Sequence, residues 1–157
     1  MSEIKIMANE KILETVKDAV AVASALVESA KTEVLWILPS AVLGLGAQFG
    51  LNEMAKKLIE KGGRVRGIVD HAGSRVDLVP EHLNNGEEVR LLDPYQGTFM
   101  LVADSRESIS AMTVSADQLA LDDPIVVFWT DNKVYAEFLS STFEAAWNRA
   151  VEAKTLL

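Results

Sequence analysis

Three short runs of almost unbroken apolar residues constrain this chain more than any other feature. They lie at residues 34–38, 99–103 and 125–129, and polar residues or proline flank each of them. Runs of this length without polar alternation indicate strands that are covered on both faces. Two further strands are predicted at residues 64–69 and 88–92, each of which is followed by turn residues. The chain is therefore expected to form a sheet with helices on both faces.

Helical periodicity is found between and around these strands. Apolar residues recur at three- and four-residue steps near the N-terminus, and they predict a long amphipathic helix over roughly residues 5–30. The same spacing predicts a helix over residues 51–59, which the glycine pair at 62–63 ends. A last helix is predicted with Asp131 or Asn132 as its N-cap.

The order of these elements predicts the fold class. Strand–helix–strand units in the first half of the chain imply parallel pairing through right-handed crossovers. Residues 99–114 are predicted to add an antiparallel hairpin that turns at residues 104–107. The expected fold is α/β, with a mixed, mostly parallel sheet flanked by helices on both faces. One domain is expected over residues 1–157, with residues 1–30 as its N-terminal helix.

The formal net charge of −8 argues against a nucleic-acid partner. Affinity for nucleic acid comes largely from Lys and Arg side chains that replace counterions, so we expect no direct binding. A local basic patch stays open as an alternative, because four arginines lie within one third of the chain: Arg64, Arg66, Arg75 and Arg90. We interpret these arginines as solvated residues of loops and strand ends.

The chain contains no cysteine, which excludes disulfides, thiol catalysis and thiolate metal sites. Charges interrupt every apolar stretch near the N-terminus, so no signal peptide is expected. The apolar run at residues 19–26 is shorter than the roughly 20 residues that a membrane span needs. We expect a cytoplasmic protein without a membrane partner, a metal or a cofactor.

Four phrases of the sequence, in their order and spacing, resemble the phospholipase D-like domain over about residues 8–150. They are Leu58–Val69, Asn85–Leu92, Phe99–Asp104 and Phe143–Trp147. Within that superfamily the chain resembles the domains that TrmB-type archaeal transcription regulators fuse to winged helix-turn-helix regions. The resemblance implies a ligand-binding or dimerising module, with a DNA-binding or signalling domain in the full-length or a neighbouring protein. The chain itself has no helix-turn-helix region, so it is expected to be a free-standing relative or an excised domain.

The catalytic signature of that family, His-x-Lys-x-x-x-x-Asp, falls on residues 97–104. Asp104 is present, but Gly97 occupies the histidine position and Phe99 occupies the lysine position. In active members the resemblance implies that the histidine attacks phosphorus and the lysine neutralises phosphate charge. Without the nucleophile and the cation this chemistry has no basis, so we expect the domain not to be an enzyme. We interpret Asp104 first of all as a turn residue that caps backbone amides between two strands.

Candidate ligand-binding residues follow the predicted strands. Asp70 and His71 end a strand that is expected to be parallel, and ligands of such sheets bind at the carboxyl ends of strands. The small side chains of residues 40–47, predicted as a loop, allow a backbone to approach an anionic or sugar ligand. The predicted ligand-binding set is Ser40, Gly44, Asp70, His71, Tyr95 and Asp104. The plain alternatives are an exposed loop histidine at position 71 and an ordinary connection at 40–47.

Two other residue types attract attention, and both are interpreted as structural. His82 lies beside Glu81 on a short predicted helix and is interpreted as a surface residue. The tryptophans at positions 36 and 129 lie in the apolar runs, so core packing is favoured over the lining of a pocket.

Three functions are compatible with these patterns. The leading hypothesis is a catalytically inactive phospholipase D-like domain that senses a small-molecule ligand or acts as a regulatory dimerisation module. The first alternative is a residual phosphodiesterase or nuclease that uses Asp70, His71 and Asp104 in a rearranged site. The second is a purely structural protein-interaction domain.

A homodimer is expected from two directions. One chain supplies few helices to cover three strands that are apolar on both faces, and the apolar surface left over would favour a partner. The resemblance adds that active members place two copies of the domain face to face, which here implies an axis near Pro94, Tyr95, Phe99 and Met112. Pairing through the alanine-rich face of the N-terminal helix (Ala19, Ala23, Ala30) is the alternative.

Overall fold

A computed structural model describes residues 9–70, 76–92, 99–111 and 120–155 of the chain. The strands are β1 (Glu10–Thr15), β2 (Glu33–Leu38), β3 (Arg64–Asp70), β4 (Glu88–Leu92), β5 (Phe99–Ala103), β6 (Glu107–Ala111), β7 (Pro124–Thr130) and β8 (Val151–Glu152). The α-helices are α1 (Val16–Ser29), α2 (Leu43–Gln48), α3 (Leu51–Glu60), α4 (Val79–Asn84) and α5 (Lys133–Arg149). Short 3-10 turns lie at Ser40–Val42, Val76–Leu78 and Ala153–Thr155. No helix in these ranges is long and apolar enough to cross a membrane.

The strands form one sheet in the order β1-β7-β6-β5-β2-β3-β4-β8. Among the described strands, β2–β3 and β3–β4 pair in parallel, and the other five pairings are antiparallel. The α/β class, the mixed sheet and the helices on both faces were predicted correctly, but the prediction of a mostly parallel sheet is wrong. Helices join the parallel neighbours β2–β3 and β3–β4, whereas β5 and β6 form a hairpin and β7, β1 and β8 add antiparallel neighbours.

The predicted helix over residues 5–30 is wrong over residues 10–15, which form the edge strand β1. Thr15 has an extended backbone (φ −130°, ψ 154°), and its hydroxyl accepts a hydrogen bond from the Asp18 amide at 3.1 Å. This contact is an N-cap, so the helix begins at Val16. The helical spacing of Ile12 and Leu13 with later residues is accidental, since Ile12 faces solvent.

Helices cover the two faces of the sheet unequally. Val34 and Trp36 of β2 pack with α1 and α3 on one face, and Leu35 and Ile37 pack with α5 on the other. Burial on both faces is therefore confirmed for β2. In β7, however, Val126 is 70% exposed, because the contacts of α5 lie mainly on β2, β4, β5 and β6.

Residues 40–47, predicted to be a loop, fold into a 3-10 turn followed by α2. Two glycines weaken this helix intrinsically. Leu43 is nonetheless buried in the core beside α1 and α3, and this tertiary packing overrides the propensity. The helix α3, the strands β3 and β4 and the Asn132 N-cap of α5 agree with the sequence predictions.

Candidate functional site

Asp104 lies in a tight turn between β5 and β6. Asp104 and Ser105 have φ angles of 54° and 51°, and the Arg106 amide donates to the Ala103 carbonyl at 3.0 Å. Positive φ at both central residues is the type I′ geometry that suits the twist of a hairpin. Aspartate tolerates this backbone better than most residues do, which explains part of its presence here.

The Asp104 carboxylate holds the chain that enters β2. One oxygen accepts from the Thr32 amide at 2.9 Å, the Thr32 hydroxyl at 2.8 Å and the Glu33 amide at 2.9 Å, and the other accepts from the Lys31 amide at 2.9 Å. Partial burial raises the pKa of Asp104, but the backbone donors of Glu33, Lys31 and Thr32 together outweigh burial and lower it. The interpretation of Asp104 as a turn residue that caps backbone amides is confirmed.

The predicted ligand-binding residues do not form one constellation. Because β2 pairs in parallel with β3 and antiparallel with β5, one end of these three strands carries Ser40, Asp70 and Phe99. Asp104 lies at the opposite end of the same strands, beyond the pairing of Val34 with Ala103. Ser40 is buried in its 3-10 turn, and Gly44 is half-buried in α2. The predicted residues His71 and Tyr95, with Gly97, Pro94 and Met112, lie outside the described ranges.

Residues of β5 face two different layers. Met100 and Val102 pack against α5, whereas Leu101 and Phe99 belong to the core that faces α1 and α3. Phe99 is the residue at the lysine position of the catalytic signature. Its side chain therefore projects into the apolar layer between the sheet and α1.

That layer contains an apolar cavity of about 100 Å³, lined by residues of α1, α2, α3 and the sheet. Ala23 of α1, Ala55 of α3, Val34 and Phe99 are among its wall residues. Ala19 and Ala23 are buried against this cavity within their own chain, so the predicted dimer contact through the alanine face of α1 is wrong. A cavity of this kind suits an apolar molecule about the size of a single ring.

One wall of the apolar cavity carries a buried polar triad of Trp36, His82 and Glu87. Trp36 Nε1 donates to Glu87 Oε1 at 3.2 Å, and His82 Nδ1 lies 2.7 Å from Glu87 Oε2. The Trp36 and His82 rings are 5.5 Å apart between centroids. The short contact fits a hydrogen on Nδ1 that His82 donates to the Glu87 carboxylate. His82 Nε2 is buried and has no hydrogen-bond partner among the residues that the structure describes.

Local sequence explains how the triad forms. Gly86, at φ 93°, turns the chain after α4, and the Glu87 amide donates to the His82 carbonyl at 3.1 Å. Gly67 of β3 lies under the Trp36 ring, where any Cβ would overlap ring atoms. The interpretation of His82 as a surface residue is wrong. One sequence signal could have pointed to this buried triad. Gly67 lies inside a strand pattern, and a glycine there indicates that another group approaches the backbone closely.

Comparison with solved structures identifies the architecture. NucT from Helicobacter pylori matches with a TM-score of 0.72 at 14% identity, over 92% of this chain and 99% of that chain. Nuc from Salmonella typhimurium, a phospholipase D family member, matches with a TM-score of 0.71 at 13% identity, over 92% and 97%. The fold is phospholipase D-like. TrmBL2, an archaeal chromatin protein with a novel mode of DNA binding, matches with a TM-score of 0.69 at 16% identity over 96% of this chain, which spans 56% of TrmBL2.

The phospholipase D-like resemblance inferred from sequence phrases is thus confirmed at the level of the fold. No family model and no curated protein sequence matches this chain. Identities of 13–16% show a shared fold and do not extend to activity.

Within the described part of this phospholipase D-like fold, no group of three or more His, Asp or Glu side chains could hold a metal ion. Arginines near the sheet are engaged with the protein itself. Arg64 pairs with Glu88, and Arg90 donates to the Trp147 carbonyl at 2.7 Å while lying over its ring. Arg66 is buried between Glu33 and Glu144, so its interpretation as a solvated residue is wrong. Arg75 lies outside the described ranges.

Proposed function

We propose that this chain is a non-catalytic phospholipase D-like domain that senses a small molecule in the apolar cavity. The observation that carries the proposal is the position of Phe99. The residue at the lysine position of the signature forms part of an apolar wall instead of supplying a cation. A pocket that is mostly apolar with a few polar groups is the usual form of a small-molecule site.

The electrostatics of the cavity oppose a phosphodiester substrate. Among the residues that line it, His82 and Glu87 are the only titratable ones, and Glu87 accepts hydrogen bonds from both of its polar neighbours. A phosphate placed there would lose its hydration and meet a buried carboxylate rather than a cation. Burial of an ion without an opposite charge beside it costs on the order of several kcal/mol.

We expect purified protein to hydrolyse no chromogenic phosphodiester, with or without added divalent metals. The reason is the absence of both the nucleophile and the cation of the signature, at Gly97 and Phe99. Turnover that disappears in the His71→Ala variant would instead support the residual phosphodiesterase. The separation of Asp104 from Asp70 weakens that alternative, since the rearranged site needs both.

The sensing half of the proposal is tested by benzene, an apolar ring without a polar group. Binding to the folded state should raise the unfolding temperature, and the stabilisation should grow with the logarithm of the benzene concentration once that concentration exceeds the Kd. If the protein binds no small apolar ring, the function that remains is that of a structural interaction module.

We further propose that the module regulates a DNA-binding or signalling domain and works in the cytoplasm without contacting nucleic acid itself. TrmBL2 binds DNA, but this chain spans only 56% of it. The net charge of −8, together with arginines engaged with carboxylates or aromatic rings, supports the absence of direct contact. A gel-shift signal that weakens steeply with salt would contradict this view.

We expect a homodimer in solution, as part of the same regulatory proposal. Val134 and Phe138, one turn apart on α5, are 74% and 62% exposed, which is unusual for large apolar side chains in a monomer. Light scattering at micromolar concentration should give twice the mass of the chain, and a monomer mass would refute the dimer. Phe138→Glu then tests this surface: a dimer that persists in the variant places the contact elsewhere, such as near Phe99.

A further inference from the structure

On the side of α5, no described helix lies over the part of the sheet that β7 and β1 form. In β7, Val127 belongs to the core that faces α1, so Val126 points to the side of α5. Ile12 of β1 pairs with Phe128, whose ring lies 5.5 Å from that of Tyr135 on α5. Val126 and Ile12 are 70% and 57% exposed. We call the surface made by Ile12, Val126 and Phe128 the bare shelf.

The bare shelf is as wide as one helix. Adjacent strands lie about 4.8 Å apart, and a helix with its side chains is about 10–12 Å across. β7 and β1 together therefore leave room for a single helix beside α5. In profile this side of the molecule is a ridge, formed by α5, with the bare shelf next to it.

The top of the ridge carries a row of uncharged side chains. Val134, Phe138, Ser141 and Ala145 follow each other at steps of four, three and four residues, so they share one side of α5, opposite its buried residues. All four are exposed, and Val134 and Phe138 are the large ones. A helix normally presents charged residues on its solvent side. We call these four residues the outer row.

We infer that the bare shelf receives the outer row of a second copy of this chain. The inference rests on the homodimer of the proposed function and names its contact surface. A two-fold axis parallel to α5 turns two copies face to face, so that the ridge of each lies on the bare shelf of the other. One rotation thus covers both shelves, which is the self-complementarity that a two-fold interface requires.

The levels of the side chains along α5 agree with this packing, because rotation about an axis parallel to the helix leaves them unchanged. The ring centroids of Tyr135 and Phe138 are 6.2 Å apart, and Tyr135 also contacts Phe128, so Phe138 is level with Phe128. Phe138 of one copy therefore meets the paired Ile12 and Phe128 of the other.

Val126 of the bare shelf meets the small side chains of the outer row. It precedes Phe128 by two residues, about 7 Å along β7. α5 turns back after β7, so Ser141 and Ala145 lie about 5 and 10 Å beyond Phe138 in the same direction. The branched side chain on the shelf is thus placed against small side chains on the ridge.

The exposed apolar area is of the size that a stable dimer needs. Ile12, Val126, Val134 and Phe138 are each more than half exposed, and together they present on the order of 450 Å² to water, since a large apolar side chain offers about 150–200 Å². A standard interface buries about 800 Å² per partner, of which roughly 60% is apolar. These four side chains alone supply most of that apolar part.

Charge at the outer margin of the shelf also favours a second copy. Glu10 of β1 pairs with Thr130, at the end of β7 from which the chain enters α5. Lys133, at the start of α5, lies at this level and on the side of the helix opposite Tyr135. When the ridge lies on the shelf of the other copy, Lys133 therefore comes over the exposed Glu10 of that copy. The two-fold axis forms this pair of opposite charges twice.

Cysteine cross-linking tests the packing without background, because the chain has no cysteine of its own. A mixture of the full-length variants Ser141→Cys and Val126→Cys should form a disulfide-linked dimer on mild oxidation. Neither variant alone should do so, because the axis holds each position apart from its own copy. Glu137→Cys, exposed on the side of α5 away from the contact, is the matched control. Mixed with Val126→Cys it should give little product, since a disulfide needs Cα atoms within about 7 Å.

Val126→Glu should raise the dissociation constant of the dimer at least about tenfold in light scattering over a dilution series, because it places a charge under the ridge. Val126 is 70% exposed, so this variant should fold. Val151→Glu makes the same change at a valine that is 50% exposed on β8, at the other edge of the sheet. It should leave dimerisation unchanged.

The outcomes separate this inference from the proposed homodimer. A dimer that persists in Val126→Glu, or cross-links equally well through Glu137→Cys and Ser141→Cys, would overturn the inference and leave a homodimer with another contact. A monomer mass for the unaltered chain at micromolar concentration would refute both and leave the bare shelf to a different protein. The cross-linked positions are exposed, so neither cysteine disturbs the core.

Discussion

Gly67→Ala should destabilise the protein by about 3 kcal/mol or more, because overpacking of a well-packed core has costs of this order. A Cβ at position 67 would overlap the ring of Trp36, which lies across β3 and is buried. The ring must then swing away, and the Trp36–Glu87 hydrogen bond and the polar wall of the apolar cavity are lost with it. Thermal unfolding should show a fall in Tm of about 10 °C for a chain of this size.

Gly46→Ala is the matched control. A Cβ at position 46 would meet its nearest neighbours at 3.7–3.8 Å, which is ordinary van der Waals contact, and Gly46 lies in α2. Alanine favours a helix over glycine, so this variant should be unchanged or more stable by up to about 1 kcal/mol. Trp36→Leu combined with Gly67→Ala should be less destabilised than the sum of the two single changes. Strict additivity would show that the ring and the glycine do not interact.

How well each part of the fold could be predicted depended on whether its sequence signal was local. The buried strands β2, β3 and β5, the helix α3 and the Asn132 cap of α5 agree with prediction, because apolar runs and caps are local properties. Strand direction is not local. The sequence pattern revealed the two parallel crossovers in the first half of the chain, but the β1–β7 and β4–β8 pairings join residues that are 60 or more positions apart.

The candidate site was mostly hidden from sequence reasoning for a similar reason. Phe99 and Asp104 were singled out by their places in a family signature, and the structure assigns them a cavity wall and a turn. His82 was interpreted as a surface residue, since a histidine beside a glutamate on a short helix usually faces water. His82 is buried because the turn at Gly86 brings Glu87 back against it, and because Gly67 leaves space for the Trp36 ring. The burial of His82 therefore depends on contacts between residues that are distant in the sequence and on a turn that a single glycine allows.

Asp104→Ala should reduce the free energy of unfolding by about 2–4 kcal/mol at pH 7, a range expected for the loss of several hydrogen bonds to one charged group. The carboxylate accepts bonds from three consecutive backbone amides and one hydroxyl at the entry to β2. Asp104 also occupies a positive-φ position that alanine adopts poorly. Asp104→Asn keeps one carbonyl acceptor and tolerates that backbone, so it should lose less. Asp122→Ala, at an exposed acidic position, should change stability by no more than about 0.5 kcal/mol.

The cost of Asp104→Ala should depend on pH in a direction that the hydrogen bonds determine. The folded-state pKa of Asp104 is lowered, so its charged form is favoured by folding. Stability from this group is fully present above the unfolded pKa, near 3.9, and it is lost as pH falls through the lower folded pKa. Denaturant unfolding at pH 7 and at successive values below pH 4 should therefore show the difference between the unaltered chain and Asp104→Asn shrinking toward zero, since a protonated carboxyl resembles the amide. The Asp104→Ala difference should shrink as well but leave a remainder from the turn. A difference that stays constant down to pH 2 would mean that the carboxylate charge does not stabilise the entry to β2, and that only the backbone geometry of the turn does.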